Sequence, residues 1–132
     1  MSVQNYQAYQ QNSVQTASPG ELTLMLYNGC IKFIKFAQQA IDKKDIEAKN
    51  ANIQKAQNIM RELMITLDPE VSITNEIMPL YDFINQQLIQ ANTNNDEQAL
   101  STALKFVTDF RDTWKEVVKK TRQQQFGNGA SV

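Results

Sequence analysis

Apolar residues recur at steps of three and four in four separate runs between Ser18 and Arg122, and no stretch alternates with the period of two that a strand requires. In the first run Leu22, Met25, Leu26, Gly29, Phe33, Phe36, Ala37 and Ala40 share one helix face. Leu24, Tyr27, Ile31 and Ile34 fall beside that face and widen it, as in a helix that touches several neighbours. Ser18 has the side chain of an N-cap, Pro19 suits the first helical position, and Glu21 completes the spacing of a capping box. This predicts a helix from Pro19 to about Lys43, with Lys43 and Lys44 beside the negative end of its dipole.

Three more helices follow on the same grounds. Asp45 is the expected N-cap of the second, striped by Ile46, Ile53, Ala56, Met60, Leu63 and Leu67, with Lys49 and Asn50 interrupting the stripe near its solvent end. Asp68-Pro69 stops it, because the residue before proline is pushed out of helical geometry. The third starts near Ser72 or Thr74 and carries Ile77, Leu80, Tyr81, Ile84, Leu88 and Ala91, with a kink or irregular first turn expected at Pro79. Asn92 to Asn95 forms a turn cluster, with Asn95 the expected N-cap of the fourth helix and Gln98 its partner. That helix runs from Asp96 to about Arg122 along Leu100, Ala103, Val107, Phe110, Trp114 and Val117. Trp114, its largest apolar group, is the expected core anchor. Four helices joined by short turns predict an all-α fold, an antiparallel up-down four-helix bundle. The expected organisation is a mobile N-terminal arm over 1–17, a bundle domain over 18–122 and a flexible C-terminal tail over 123–132.

The 132 residues suffice for a single core without disulfides or metal. The net charge of −1 lacks the basic excess of a nucleic-acid binder, and the cluster Lys115, Lys119, Lys120 and Arg122 reads as dipole complement and solubility. No histidine is present, so neither a di-iron bundle site nor a Cys-His pair can be assembled, and Cys30 reads as a small core hydrophobe. Asp82 and Asp109 border apolar stripes, but a solvated helix face outweighs a catalytic carboxylate pair. No signal-peptide pattern opens the chain, and no apolar run approaches the length of a membrane span. These features predict a cytoplasmic non-enzyme with no cofactor, no metal, no nucleic-acid partner and no integral membrane segment.

The chain carries more apolar groups than one seam needs. Ile59, Met64, Ile65, Phe83, Ile89, Phe106 and Val118 lie at stripe edges, where a groove between helices would accept another amphipathic helix. Met60 and Met64 would be adaptable in such a groove. Residues 1–17 hold no charge, yet Tyr6, Tyr9 and Val14 are apolar enough to dock on the body.

Thr16-Ala17-Ser18-Pro19, then Leu22 and Met25-Leu26-Tyr27-Asn28-Gly29, resembles the signature of the FliS family of flagellar secretion chaperones. Leu80-Tyr81-Asp82-Phe83, Leu88 with Ala91-Asn92, Asn95-Asp96 and Trp114 extend the resemblance over most of the chain. The chain departs from the family pattern at Asn28, where aspartate is expected, at Cys30, where alanine is expected, and at Gln86-Gln87, where arginines are common. The resemblance implies an export chaperone that covers the disordered C-terminal segment of flagellin, prevents its premature polymerisation and delivers it to the flagellar export gate. It also implies other flagellar regulators as further partners. Ile59, Met60, Met64, Phe83, Ile89 and Phe106 are the candidate flagellin contacts, and Tyr6, Tyr9 and Val14 of the arm the candidate docking residues. The alternative is a regulatory bundle that sequesters a different protein through the same apolar groove.

Overall fold

The computed structural model describes residues 18–130. Among them are four helices, α1 (Pro19–Asp42), α2 (Ile46–Thr66), α3 (Thr74–Asn94) and α4 (Glu97–Ala130), and no strand. Short connections reverse the chain after each helix. α1 packs on α2 and α4, and α3 packs on the same two, so the helices close a square in chain order. The arm that was expected over 1–17, with Tyr6, Tyr9 and Val14, lies outside the described residues.

Side chains at the helix ends set the boundaries. Ser18 caps α1, its Oγ accepting from the Glu21 N–H at 3.3 Å. The reciprocal arm of the capping box is not made; Glu21 pairs instead with Arg122 of α4. Asp45 caps α2, Oδ1 accepting from the Ala48 N–H at 3.0 Å. The cap of α4 is Asp96 rather than Asn95: Oδ1 accepts from the Ala99 N–H at 3.1 Å, which together with Gln90 holds the carboxyl below its usual range. Asn95 instead ends α3 in the left-handed conformation, at φ 51°, a role that asparagine fills as readily as a cap. Pro79 lies within α3 and is exposed; the helix runs through it, at the loss of the N–H that would bond the Asn75 carbonyl. The expected tail begins as a continuation of α4, whose backbone is helical past Arg122 to Ala130; glutamine continues a helix readily.

The core takes Ile34, Ile53, Leu63, Ile84, Leu88, Leu100 and Val107 out of solvent completely or nearly so. Three expectations about the stripes change. Lys49, expected at a solvent end, is 4% exposed; its Nζ donates to the Asn92 carbonyl at 3.1 Å and to Asn95 Oδ1. It therefore caps the C-terminus of α3 from α2, where carbonyls lacking intrahelical partners favour a cation. Phe36 and Ile46, assigned to core stripes, are exposed. Ile46 is the first residue of α2, so no preceding turn of that helix lies beside its side chain.

Trp114 is half-buried rather than central. It sits where α4 passes the start of α1, and its indole N–H donates to the Gly20 carbonyl at 2.8 Å. Trp114→Phe keeps a ring there but removes the donor. The expected loss is about 1–2 kcal/mol in chemical denaturation, more than a ring trimmed at a free surface would cost.

Candidate functional site: an apolar seam between two helices

The seam between α3 and α4 has a rigid aromatic floor. Tyr27 of α1 and Tyr81 of α3 are buried and share a hydrogen bond between their hydroxyls at 2.5 Å. Phe110 of α4 stacks on Tyr27 with centroids 5.9 Å apart and meets Tyr81 edge-on at 5.3 Å. Burial pushes both phenols above their ordinary range, so they stay neutral and the bond persists through physiological pH.

Above this floor the apolar groups continue to the surface. Phe83 and Phe106 meet edge-to-face at 5.2 Å across the seam, and Phe83 keeps 39% of its surface exposed. Leu80, one turn before Phe83, is 40% exposed, and Val117, on the Phe106 face of α4, is 41% exposed. From Phe106 to Val117 is about 16 Å along a helix, room for three turns of a docked helix. Phe83 and Leu80 have no core role that would hold them inward.

The other expected groove residues are not gathered here. Ile59 and Met60 are buried, Met60 completely, so both belong to the core and offer no surface. They lay on the widened stripe of α2, and periodicity alone does not say which edge a neighbour covers. Met64 is half-buried against the core and Ile89 is exposed, neither of them in the Phe83–Phe106 pair. Conversely Leu80 and Val117 had been read as core. Leu80 adjoins Tyr81 and Phe83 in a motif that supplied both a core and a surface residue, and that crowding was the one available signal. A second apolar patch, Ile65, Val71 and Ile73, is exposed around the connection from α2 to α3.

Reactive chemistry is lacking at these places. No group of metal-ligating side chains occurs among the described residues, and no described helix is long and apolar enough to cross a membrane. Asp82 and Asp109 are exposed. Cys30 is fully buried, its thiol 3.8 Å from the Ala56 carbonyl, and burial pushes its pKa up to about 12. A thiol reagent at about pH 8 should therefore modify the native protein at least ~100-fold more slowly than the unfolded chain. Comparable rates, read by mass spectrometry, would show Cys30 to be accessible.

Asn28, where the sequence departs from its family pattern, is exposed and accepts a hydrogen bond from Arg111 Nη1 at 3.0 Å. The amide thus keeps the link between α1 and α4 that an aspartate would make as an ion pair, without the charge.

Comparison with known proteins agrees with this architecture. Residues 2–121 match the family model described as flagellar protein FliS. The chain is 51% identical over 130 residues to the flagellar secretion chaperone FliS of Bacillus subtilis (strain 168), covering 98% of each chain. It is 30% identical over 118 residues to the FliS of Salmonella typhimurium, covering 87% of each. A crystal structure of a bacterial flagellar chaperone superposes with a TM-score of 0.72 at 20% identity, over 89% of this chain and 97% of that one, which shows the shared fold.

Proposed function

The chain belongs to the FliS family of flagellar secretion chaperones, and we propose that it holds the C-terminal segment of flagellin as a helix along the α3–α4 seam. Its relatives are named as chaperones, not enzymes. The observation that carries the reading is the exposed apolar edge of Leu80, Phe83 and Val117 beside Phe106, placed over a floor that is already rigid. A preformed receptor leaves the ordering cost to the client alone, roughly 2–5 kcal/mol for a segment that folds on binding. The resulting complex is tight and still releasable. Covering the segment keeps flagellin from polymerising in the cytoplasm and leaves it competent for transfer to the flagellar export gate.

The arm belongs to the same reading as a displaceable cover. Residues 1–17 join α1 at Ser18, next to Gly20, whose neighbours are Trp114 and Val118 of α4. Extended, they reach up to ~55 Å, enough to run the length of the seam. Tyr6, Tyr9 and Val14 would lie on it in the free protein and be released for docking at the export gate when the client takes their place. Ordering more than a dozen backbone residues cancels most of what two tyrosines and a valine gain by burial.

Calorimetric titration with a flagellin C-terminal peptide tests this. The expected result is a stoichiometric complex with a negative heat-capacity change and a gain of peptide helicity, tightened by deletion of Met1 to Gln11. No complex, or one abolished by moderate salt without a heat-capacity signal, would overturn it and favour a bundle that sequesters a different protein.

A further inference from the structure

The α4 helix carries a cationic stripe that the α3–α4 seam does not use. Arg111, Lys115 and Lys119 follow one another at four-residue steps, and Arg122 falls three residues further on the same face. Two contacts fix where that face lies: Arg111 donates to Asn28 and Arg122 pairs with Glu21, both on α1. The stripe therefore runs along the outside of the α1–α4 seam.

Its charge is only partly answered. Glu21 neutralises Arg122 at one end, and Asp112 accepts from Arg111 Nε at 2.7 Å at the other. Between them Lys115 and Lys119 are exposed and make no ion pair among the described residues. On the α1 side the residue facing Arg111 is the neutral Asn28, so α1 contributes no second carboxylate to the stripe. The carboxylates of this part of α4, Asp109, Asp112 and Glu116, lie by register about 60–120° round the helix from Lys115 and about 20–80° from Lys119, as an adjoining strip of opposite sign.

We propose that this stripe is a docking surface for an acidic helical segment of a partner protein, separate from the client seam. Geometry decides between the anionic surfaces that four cations attract. A planar anionic membrane large enough to meet Lys115 and Lys119 also meets the neighbouring acidic strip and is repelled by it. A helix with carboxylates at four-residue steps has the same ~6 Å spacing as the lysines and presents charge along a single line. It pairs with the cations and leaves the acidic strip in water. Exposed pairs of this kind contribute little each, so the contact is weak, salt-sensitive and mainly orienting. Because the stripe is not part of the α3–α4 seam, a partner can bind it while the client is in place.

The test uses the full chain and a labelled synthetic alanine-based helix with glutamates at four-residue steps. Fluorescence anisotropy should show binding that weakens with salt. Lys115→Glu with Lys119→Glu should weaken it by about tenfold, and Asn28→Asp, which restores a carboxylate beside Arg111, by about twofold. Lys120→Glu makes the charge change of either lysine alone, one residue from Lys119 but 100° round the helix, and should leave affinity within about twofold. Circular dichroism and binding of the flagellin peptide, unchanged in all variants, separate failure of this surface from failure of the client seam. An equal loss for Lys120→Glu, equal binding of a peptide with its glutamates scattered on all faces, or tighter binding to phosphatidylglycerol vesicles would each overturn the proposal.

Discussion

Leu80→Asp and Phe83→Asp should each weaken binding of the flagellin C-terminal segment by about thirtyfold or more, the effect of losing an interface anchor worth about 2 kcal/mol. Both side chains are about two-fifths exposed, so a carboxylate at either position stays hydrated in the free protein and the fold survives. In the complex the same carboxylate would be trapped against an apolar helix face on the Phe106 side of the seam. The penalty therefore falls on the bound state alone. Titration calorimetry on variants whose melting is unchanged measures it. Affinity altered less than about threefold by both substitutions would remove these residues from the interface.

Ile34→Ala should destabilise the protein by about 2–5 kcal/mol, whereas Ile65→Ala should change stability by less than about 0.5 kcal/mol. The two residues are chemically identical and differ in position. Ile34 is fully buried on α1, where truncation removes contacts and leaves a void in a close-packed interior. Ile65 is 75% exposed at the end of α2, so truncation there removes little that the fold had enclosed. Chemical denaturation monitored at Trp114 gives both values. A large cost at Ile65 would mean that the patch around the α2–α3 connection is covered in solution.

The helices themselves were readable because each rests on local physics. Ser18 and Asp45 cap where their side chains suggested, and Pro69 stops α2 on schedule. Adjacent asparagine and aspartate blurred the turn at Asn95-Asp96, since either side chain can cap; it is Asn95 that takes the left-handed backbone that ends α3. Lys49 was misjudged for a different reason: its acceptors, the Asn92 carbonyl and Asn95, lie more than forty residues away in sequence and converge only in the closed bundle.

The seam was half-readable. A three-four stripe gives the apolar face of a helix but not the angle at which that helix rolls against its neighbours. Small rolls of α2 and of α3 decide separately whether Met60 and Phe83 are enclosed; the structure encloses Met60 and leaves Phe83 partly exposed. Phe83 and Phe106 were recognisable as surplus; Leu80 and Val117 were hidden among residues that looked like core. Trp114 shows the same limit, since its size suggested the centre of the bundle while its N–H required a polar partner at the edge.

On the proposed reading a client helix lies along the α3–α4 seam. Amide chemical-shift mapping of the isotopically labelled chain, titrated with the flagellin C-terminal peptide, tests it most directly. Shifts should concentrate from Leu80 to Gln87 on α3 and at Phe106, Phe110 and Val117 on α4, with Lys115 and Lys119 on the outer face of the α1–α4 seam little changed. Shifts confined to α1 and α2, or no shifts at saturating peptide, would contradict it.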